Sequence, residues 1–190
     1  IYNVTAPIVA VIGMDCAMGK RTTARMLKQA CASEGIKAEM IYTGQTGWLQ
    51  GGEYGFIFDS TLNDFVSGEL EHAIVSCWST TQPDILFLEG QSSLRNPSGP
   101  CGIELLISGN AKQVVLIFAP KRKYFDNEKH WGEIPSVASE IELIENSSNN
   151  FSSTLDLPGA MVGMINIGDI IGKAIGGDKM KKVKMNVEKA

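Results

Sequence analysis

Short, unbroken apolar runs alternate along this chain with longer segments whose apolar residues recur at helical spacing. The runs of strand length are Ile8–Ile12, Ala38–Tyr42, Asp84–Leu88, Gln113–Phe118 and Ala160–Ile165. The helical segments are Lys20–Glu34 (ended by Gly35), Leu62–Ser79, Cys101–Ser108, Ser136–Asn146 and a stretch near Asp169–Ile175. Strands that read as continuous apolar runs, without polar alternation, are buried on both faces. Strand–helix alternation of this kind predicts an α/β fold: a doubly wound, mainly parallel sheet with helices on both faces and ligands at the carboxyl ends of its strands. The glycine-rich stretch Thr43–Gly55, the polar segment Lys121–Gly132 and the run Asn146–Ser153 are predicted loops. Residues 1–178 read as one domain, followed by a tail at 179–190. Lys179–Lys189 alternates lysine with Val183, Met185 and Val187, which suits an added edge strand, a contact to another domain or a solvated end.

The eleven residues Gly13-Met14-Asp15-Cys16-Ala17-Met18-Gly19-Lys20-Arg21-Thr22-Thr23 lie between the first strand and its helix. A buried strand, a glycine-bounded turn and a helix that opens at Gly-Lys form an anion cradle. Turn N–H groups and the positive end of the helix dipole point at the anion, and the lysine adds a full charge. All of Gly13, Asp15, Cys16, Ala17, Met18, Gly19, Lys20, Arg21, Thr22 and Thr23 are therefore candidate cofactor-binding positions. An ordinary turn would need the glycines only for their φ angles. It would not need a lysine at a helix start, where the dipole opposes it unless an anion is present.

The loop departs from the common pattern of four residues between its first glycine and Gly-Lys, followed by Ser or Thr. Five residues intervene here, and Arg21 stands where the magnesium-binding hydroxyl normally does. The longer loop resembles that of dethiobiotin synthetase and its relatives, which also place an acidic residue two positions after the first glycine, as Asp15 does here.

In a parallel sheet the other strand ends face the same crevice. After the second strand, Thr43, Gln45 and Thr46 offer neutral hydrogen-bonding groups between glycines, as substrate contacts or as a tight turn. Glu89 closes the third strand, where a carboxylate opposite a phosphate loop holds magnesium or polarises a nucleophile; otherwise it is a surface residue. Gln91 and Ser92 follow it as substrate candidates, and Asp84 belongs at the opposite edge. Arg95 either clamps a carboxylate or phosphate or is solvated. Lys121, Arg122 and Lys123 after the fourth strand form a solvated face or a lid over an anion. Asn166 ends the last strand, as a reader of a purine edge or a turn former before Gly168.

Composition narrows the function classes. The 190 residues suit one domain, and 44% hydrophobic with 20% charged residues is ordinary for a globular enzyme. A net charge of −4 argues against a nucleic-acid surface, and no apolar run spans a membrane. Four cysteines without CxxC spacing, with only His72 and His130 beside them, make a poor metal site and read as free thiols of a cytoplasmic protein.

Gly-Met-Asp-Cys-Ala-Met-Gly-Lys-Arg-Thr-Thr-Ala, Tyr-Thr-Gly-Gln-Thr-Gly and Leu-Glu-Gly-Gln-Ser-Ser-Leu, in that order, resemble the P-loop domain of the domain-of-unknown-function family sixteen-eleven, from Val9 to Pro120. Here Ser92 replaces a family glycine, and Phe118-Ala119-Pro120 replaces a histidine-containing turn. The resemblance implies a Rossmann-like domain upstream of Ile1, and at least one member is described as a D-glutamate N-acetyltransferase using acetyl-CoA.

Three functions are expected of such a chain. In the first, an ATP- or GTP-dependent enzyme, Lys20 and the loop hold the phosphates, and Glu89, Asp15 and Thr22 hold Mg2+. A small carboxylate or amino acid sits against the Gln45 and Arg95 loops, with Lys20, Glu89 and Arg95 as the catalytic set. In the second, the loop grips acetyl-CoA phosphates and Glu89 deprotonates an amine. The third is a non-catalytic nucleotide-sensing module. A small-molecule substrate is the expected partner, with no nucleic acid or membrane, and a homo-oligomer is compatible with all three.

Overall fold

The computed structural model describes residues 3–91, 93–97 and 102–149, with the side chains of 147–149 not included. Ser92, Cys101, the expected strand Ala160–Ile165, Asn166, the helix near Asp169–Ile175 and the tail lie outside these residues.

The chain forms β1 (Ile8–Gly13), α1 (Lys20–Ser33), β2 (Ala38–Ile41), α2 (Gln45–Leu49), α3 (Val66–Thr81), β3 (Ile85–Glu89), α4 (Gly102–Ile107), β4 (Gln113–Ile117) and α5 (Val137–Asn149). The four strands pair in parallel in the order β2-β3-β1-β4. All six residues of β1 and all five of β3 are buried, as their unbroken apolar composition requires. Ile8, Ala10 and Ile12 join Leu86 and Leu88 in one cluster with Leu70 and Ile74 of α3, Leu105 of α4 and Ile144 of α5. Val9 and Val11 point the other way and are equally buried. That face is covered by α1, which packs on β1, β2 and β3 and buries Ala24 and Cys31. The sheet therefore carries helices on both faces. From β1 the chain crosses to β2, returns through β3 and passes over to β4 on the opposite side of β1, so a crevice opens at the carboxyl ends around β1.

Three expectations change. The glycine-rich stretch after β2 contains the short helix α2, because its glycines let backbone close on Tyr42. A Cβ at Gly47 would lie 2.4 Å from the Tyr42 Cβ, and one at Gly52 would lie 2.5 Å from its ring. The helix expected from Leu62 starts at Val66, since Leu62 is extended (ψ 137°) and Asn63–Phe65 form a 3-10 turn. At the other end of the domain, α5 runs through Asn149, into the segment read as loop from Asn146. Among the described residues, Cys16, Cys31 and Cys77 form no disulfide. Among the described residues no helix is long and apolar enough to cross a membrane.

Candidate functional site: the β1–α1 loop

Sheet pairing carries β1 into the loop, where the Met14 N–H donates to the Ile117 carbonyl at 2.9 Å. The chain then turns through two left-handed residues, Ala17 (φ 49°) and Gly19 (φ 91°). The second is the N-cap of α1, and glycine suits that conformation without strain. The first intrahelical bond of α1 is Thr23 N–H to Gly19 C=O at 2.9 Å, so the amides before it point out of the helix start. No acidic side chain lies in that first turn and no side chain caps it. Instead it opens with Lys20 and Arg21, two cations set against the dipole.

Lys20 folds back along the loop. A Cβ at Gly13 would meet its Cγ and Cδ at 3.2 Å, so the glycine makes room for the lysine stem. The ammonium donates to the Asp15 carbonyl at 2.7 Å, and only 7% of the residue is exposed. That burial pushes the Lys20 pKa below its ordinary 10.5.

Asp15 ties three loops together. Its Oδ1 accepts from Asn96 Nδ2 at 2.9 Å, and its Oδ2 from Arg122 Nη1 at 2.8 Å and the Asp126 N–H at 2.9 Å. Arg122 Nη1 also donates to the Cys16 carbonyl at 2.7 Å. Asp15 is fully buried, and three donors satisfy its charge. Asp126 reaches this position through a left-handed turn (φ 53°). Asp15, Cys16 and Asp126 bring one ligand atom each within 4.8 Å of one another, a spacing a metal could bridge. The Asn96 amide already stands among them, 2.9 Å from Asp15 Oδ1, 3.1 Å from Asp126 Oδ2 and 3.5 Å from Cys16 Sγ.

Glu89 ends β3 opposite Val11 and is 2% exposed. Arg21 reaches it across the strand ends, with Nη2 2.7 Å from Oε1. Thr43 Oγ1 donates to the Glu89 carbonyl at 2.6 Å and fixes the end of β2 to that of β3. Burial raises the Glu89 pKa above 4.5, and the guanidinium opposes that rise. Two atoms of this pair, Glu89 Oε2 and Arg21 Nε, are buried without a hydrogen-bond partner.

The remaining candidates disperse. Gln45 and Thr46 are exposed at the start of α2. Gln91 lies over Gly44, where a Cβ would come within 2.8 Å of Nε2, and reaches Asp59 at 3.5 Å. Arg95 turns away to α5, pairing with the buried Glu140 at 3.2 Å and donating to the Ser139 carbonyl at 2.9 Å. In that position it anchors α5 rather than clamping a ligand. Asp84 lies at the opposite edge as expected, accepting from the Lys37 N–H at 2.8 Å. Lys121 and Lys123 are exposed, whereas Arg122 between them belongs to the Asp15 network. Asn96 and Asp126 had no signal of their own in the sequence.

The expected magnesium set does not fit this geometry. Thr22 is exposed, both oxygens of Asp15 already accept protein donors, and Oε1 of Glu89 is taken by Arg21. One carboxylate oxygen, Glu89 Oε2, remains, whereas magnesium demands near-octahedral oxygen coordination. Beside the loop, a cavity of about 200 Å³ lies between Met14 and Met18 on one side and Phe118, Pro120, Ile134 and Pro135 on the other.

The model of a family described as "Domain of unknown function (DUF1611_C) P-loop domain" matches residues 1–169. The chain belongs to this family. It is 32% identical over 133 residues to a D-glutamate N-acetyltransferase from a Pseudoalteromonas species, covering 70% of this chain and 39% of that protein. Against a protein of the same name from Tritonibacter scottomollicae it is 30% identical over 127 residues, 66% of this chain and 37% of the relative. A crystal structure of a DUF1611 family protein from Anabaena variabilis superposes with a TM-score of 0.72 at 28% identity, covering 80% of this chain and 43% of that one. The chain thus spans about two-fifths of the length of the relatives it matches.

Proposed function

We propose that the β1–α1 loop binds the phosphates of acetyl-CoA and that this domain serves N-acetyl transfer to an amino acid such as D-glutamate. The observation that carries this reading is a helix start that opens with two cations and has no acidic side chain in its first turn. Two relatives named D-glutamate N-acetyltransferase support the reaction class.

Lys20 and the first-turn amides of α1 hold the diphosphate or the 3′-phosphate of the coenzyme. The neighbouring cavity, lined mostly by apolar side chains, suits an uncharged part of the same molecule, its adenine ring or pantetheine arm. Glu89, ion-paired to Arg21 at the strand ends, shapes this anion site, while the thioester of a coenzyme held by its phosphates lies a pantetheine arm away. As the amine nitrogen attacks the thioester carbonyl, it gives up a proton to solvent. The C–N bond forms, the C–S bond breaks, and the leaving thiolate takes a proton. Gln45 and Thr46 at the start of α2 and Gln91 after β3 are the residues from which the substrate carboxylate would be held.

Calorimetric titration of the chain with acetyl-CoA and with ATP–Mg2+ tests the reading. Acetyl-CoA is expected to bind about tenfold or more tightly than the nucleotide, a difference of about 1.4 kcal/mol. Tighter binding of ATP–Mg2+ would overturn the proposal and restore the nucleotide-dependent enzyme.

A further inference from the structure

We propose that this loop holds its phosphate without a divalent cation, the Arg21 guanidinium supplying the charge a metal would bring and Glu89 positioning it. The inference rests on the phosphate-binding reading of the loop, though not on acetyl-CoA being the ligand.

Arg21 occupies the sequence position whose side chain ordinarily recruits the metal, and α1 turns it across the carboxyl ends of the strands. Its Nη2 takes one oxygen of Glu89 at 2.7 Å, the carboxylate that would otherwise be the metal ligand. The guanidinium keeps a further donor, Nε, buried and unpartnered, and the Arg21 side chain as a whole is 19% exposed. A planar guanidinium matches phosphate oxygens in bidentate fashion and stays protonated throughout the physiological range. Glu89, with 3% of its side chain exposed and Oε2 unpartnered, marks the same place as a site built for more than the ion pair. Asp15, the other acidic residue of the loop, already accepts from Asn96, Arg122 and the Asp126 amide. Arg21 thus stands at the metal's sequence position, while both Asp15 oxygens and Glu89 Oε1 are taken by protein donors.

The two readings make opposite demands on Glu89. A metal ligand is needed for binding, so its removal weakens the site. A positioning residue that also neutralises Arg21 restrains the site, so its removal as Glu89→Gln releases charge toward the anion. The experiment titrates inorganic pyrophosphate into the full chain, in EDTA and in millimolar Mg2+, for the wild type, Arg21→Ala and Glu89→Gln.

Binding is expected in EDTA, with no gain in affinity from Mg2+. Arg21→Ala should weaken it by about tenfold or more, and Glu89→Gln should strengthen it severalfold. Arg21→Ala leaves Glu89 buried alone and can unfold the chain. Glu89→Gln leaves the Arg21 charge without its ion partner but with an amide oxygen still able to accept from it, and a shift to tighter binding is a readout that a purely structural role would not produce. Binding only in the presence of Mg2+, weaker binding by Glu89→Gln, or no binding in either buffer each overturns the inference. If pyrophosphate binds in EDTA while acetyl-CoA does not bind at all, the metal-free site stands and the acetyl-CoA reading falls.

Discussion

Lys20 is a stability cost in the unliganded chain. Its folded-state pKa lies below 10.5, so near neutral pH the native state disfavours the charge that the unfolded chain carries freely. The cost is present below the folded pKa and disappears as pH rises above 10.5. Lys20→Met should therefore leave the melting temperature of the unliganded chain unchanged or higher, and weaken acetyl-CoA binding by about tenfold or more. A lower melting temperature with unchanged affinity would contradict this role. Only protonated Lys20 attracts phosphate, so affinity should begin to fall at a pH below 10.5 when titrated from neutrality upward. Glu89 has its folded-state pKa raised above 4.5 by burial, so its contribution to stability is fully present below pH 4.5 and is lost as pH rises through the folded-state value. The loop and Glu89 were legible in the sequence because their chemistry is local: fixed spacing after one strand, and the last residue of another. Asn96, Arg122 and Asp126 were not legible as a set. Their common partner Asp15 lies 81, 107 and 111 residues away, and nothing in a linear pattern joins them.

Between elements, the decisive joints are single residues. Asp15 connects the segments that follow β1, β3 and β4 through one buried carboxylate. Asp15→Asn would leave Arg122, whose side chain is 18% exposed, without its ion partner. Loss of about 3 kcal/mol is expected, read as a lower urea midpoint; a change under about 0.5 kcal/mol would mean the network does not hold the loop. The glycines after β2 separate in the same way. Gly47→Ala drives a Cβ to 2.4 Å from Tyr42 and should cost about 1–3 kcal/mol in urea unfolding. Gly44→Ala meets only the flexible end of Gln91 at 2.8 Å and should cost less. Sequence pattern placed the strands well, since a buried parallel strand needs an unbroken apolar run. It missed α2, a five-residue helix with one buried residue and hence almost no periodic signal. It also assigned Arg95 to a ligand, because the pairing partner Glu140 belongs to a helix whose inward face becomes apparent only in three dimensions.

On the scale of the whole molecule, the parallel order β2-β3-β1-β4 explains why residues from four distant segments converge on one crevice. The fold supplies a helix start and a row of strand ends, and it gathers Lys20, Arg21 and Glu89 there. Because the chain spans about two-fifths of the relatives it matches, catalysis by the whole protein is a separate question from ligand binding by this domain. The most direct measurement is a crystal structure of the chain grown with coenzyme A. The account predicts a phosphate of the coenzyme at the start of α1, with the Lys20 ammonium moved from the Asp15 carbonyl onto it. Coenzyme bound elsewhere, or Lys20 still held by Asp15 with no phosphate near it, would contradict the account.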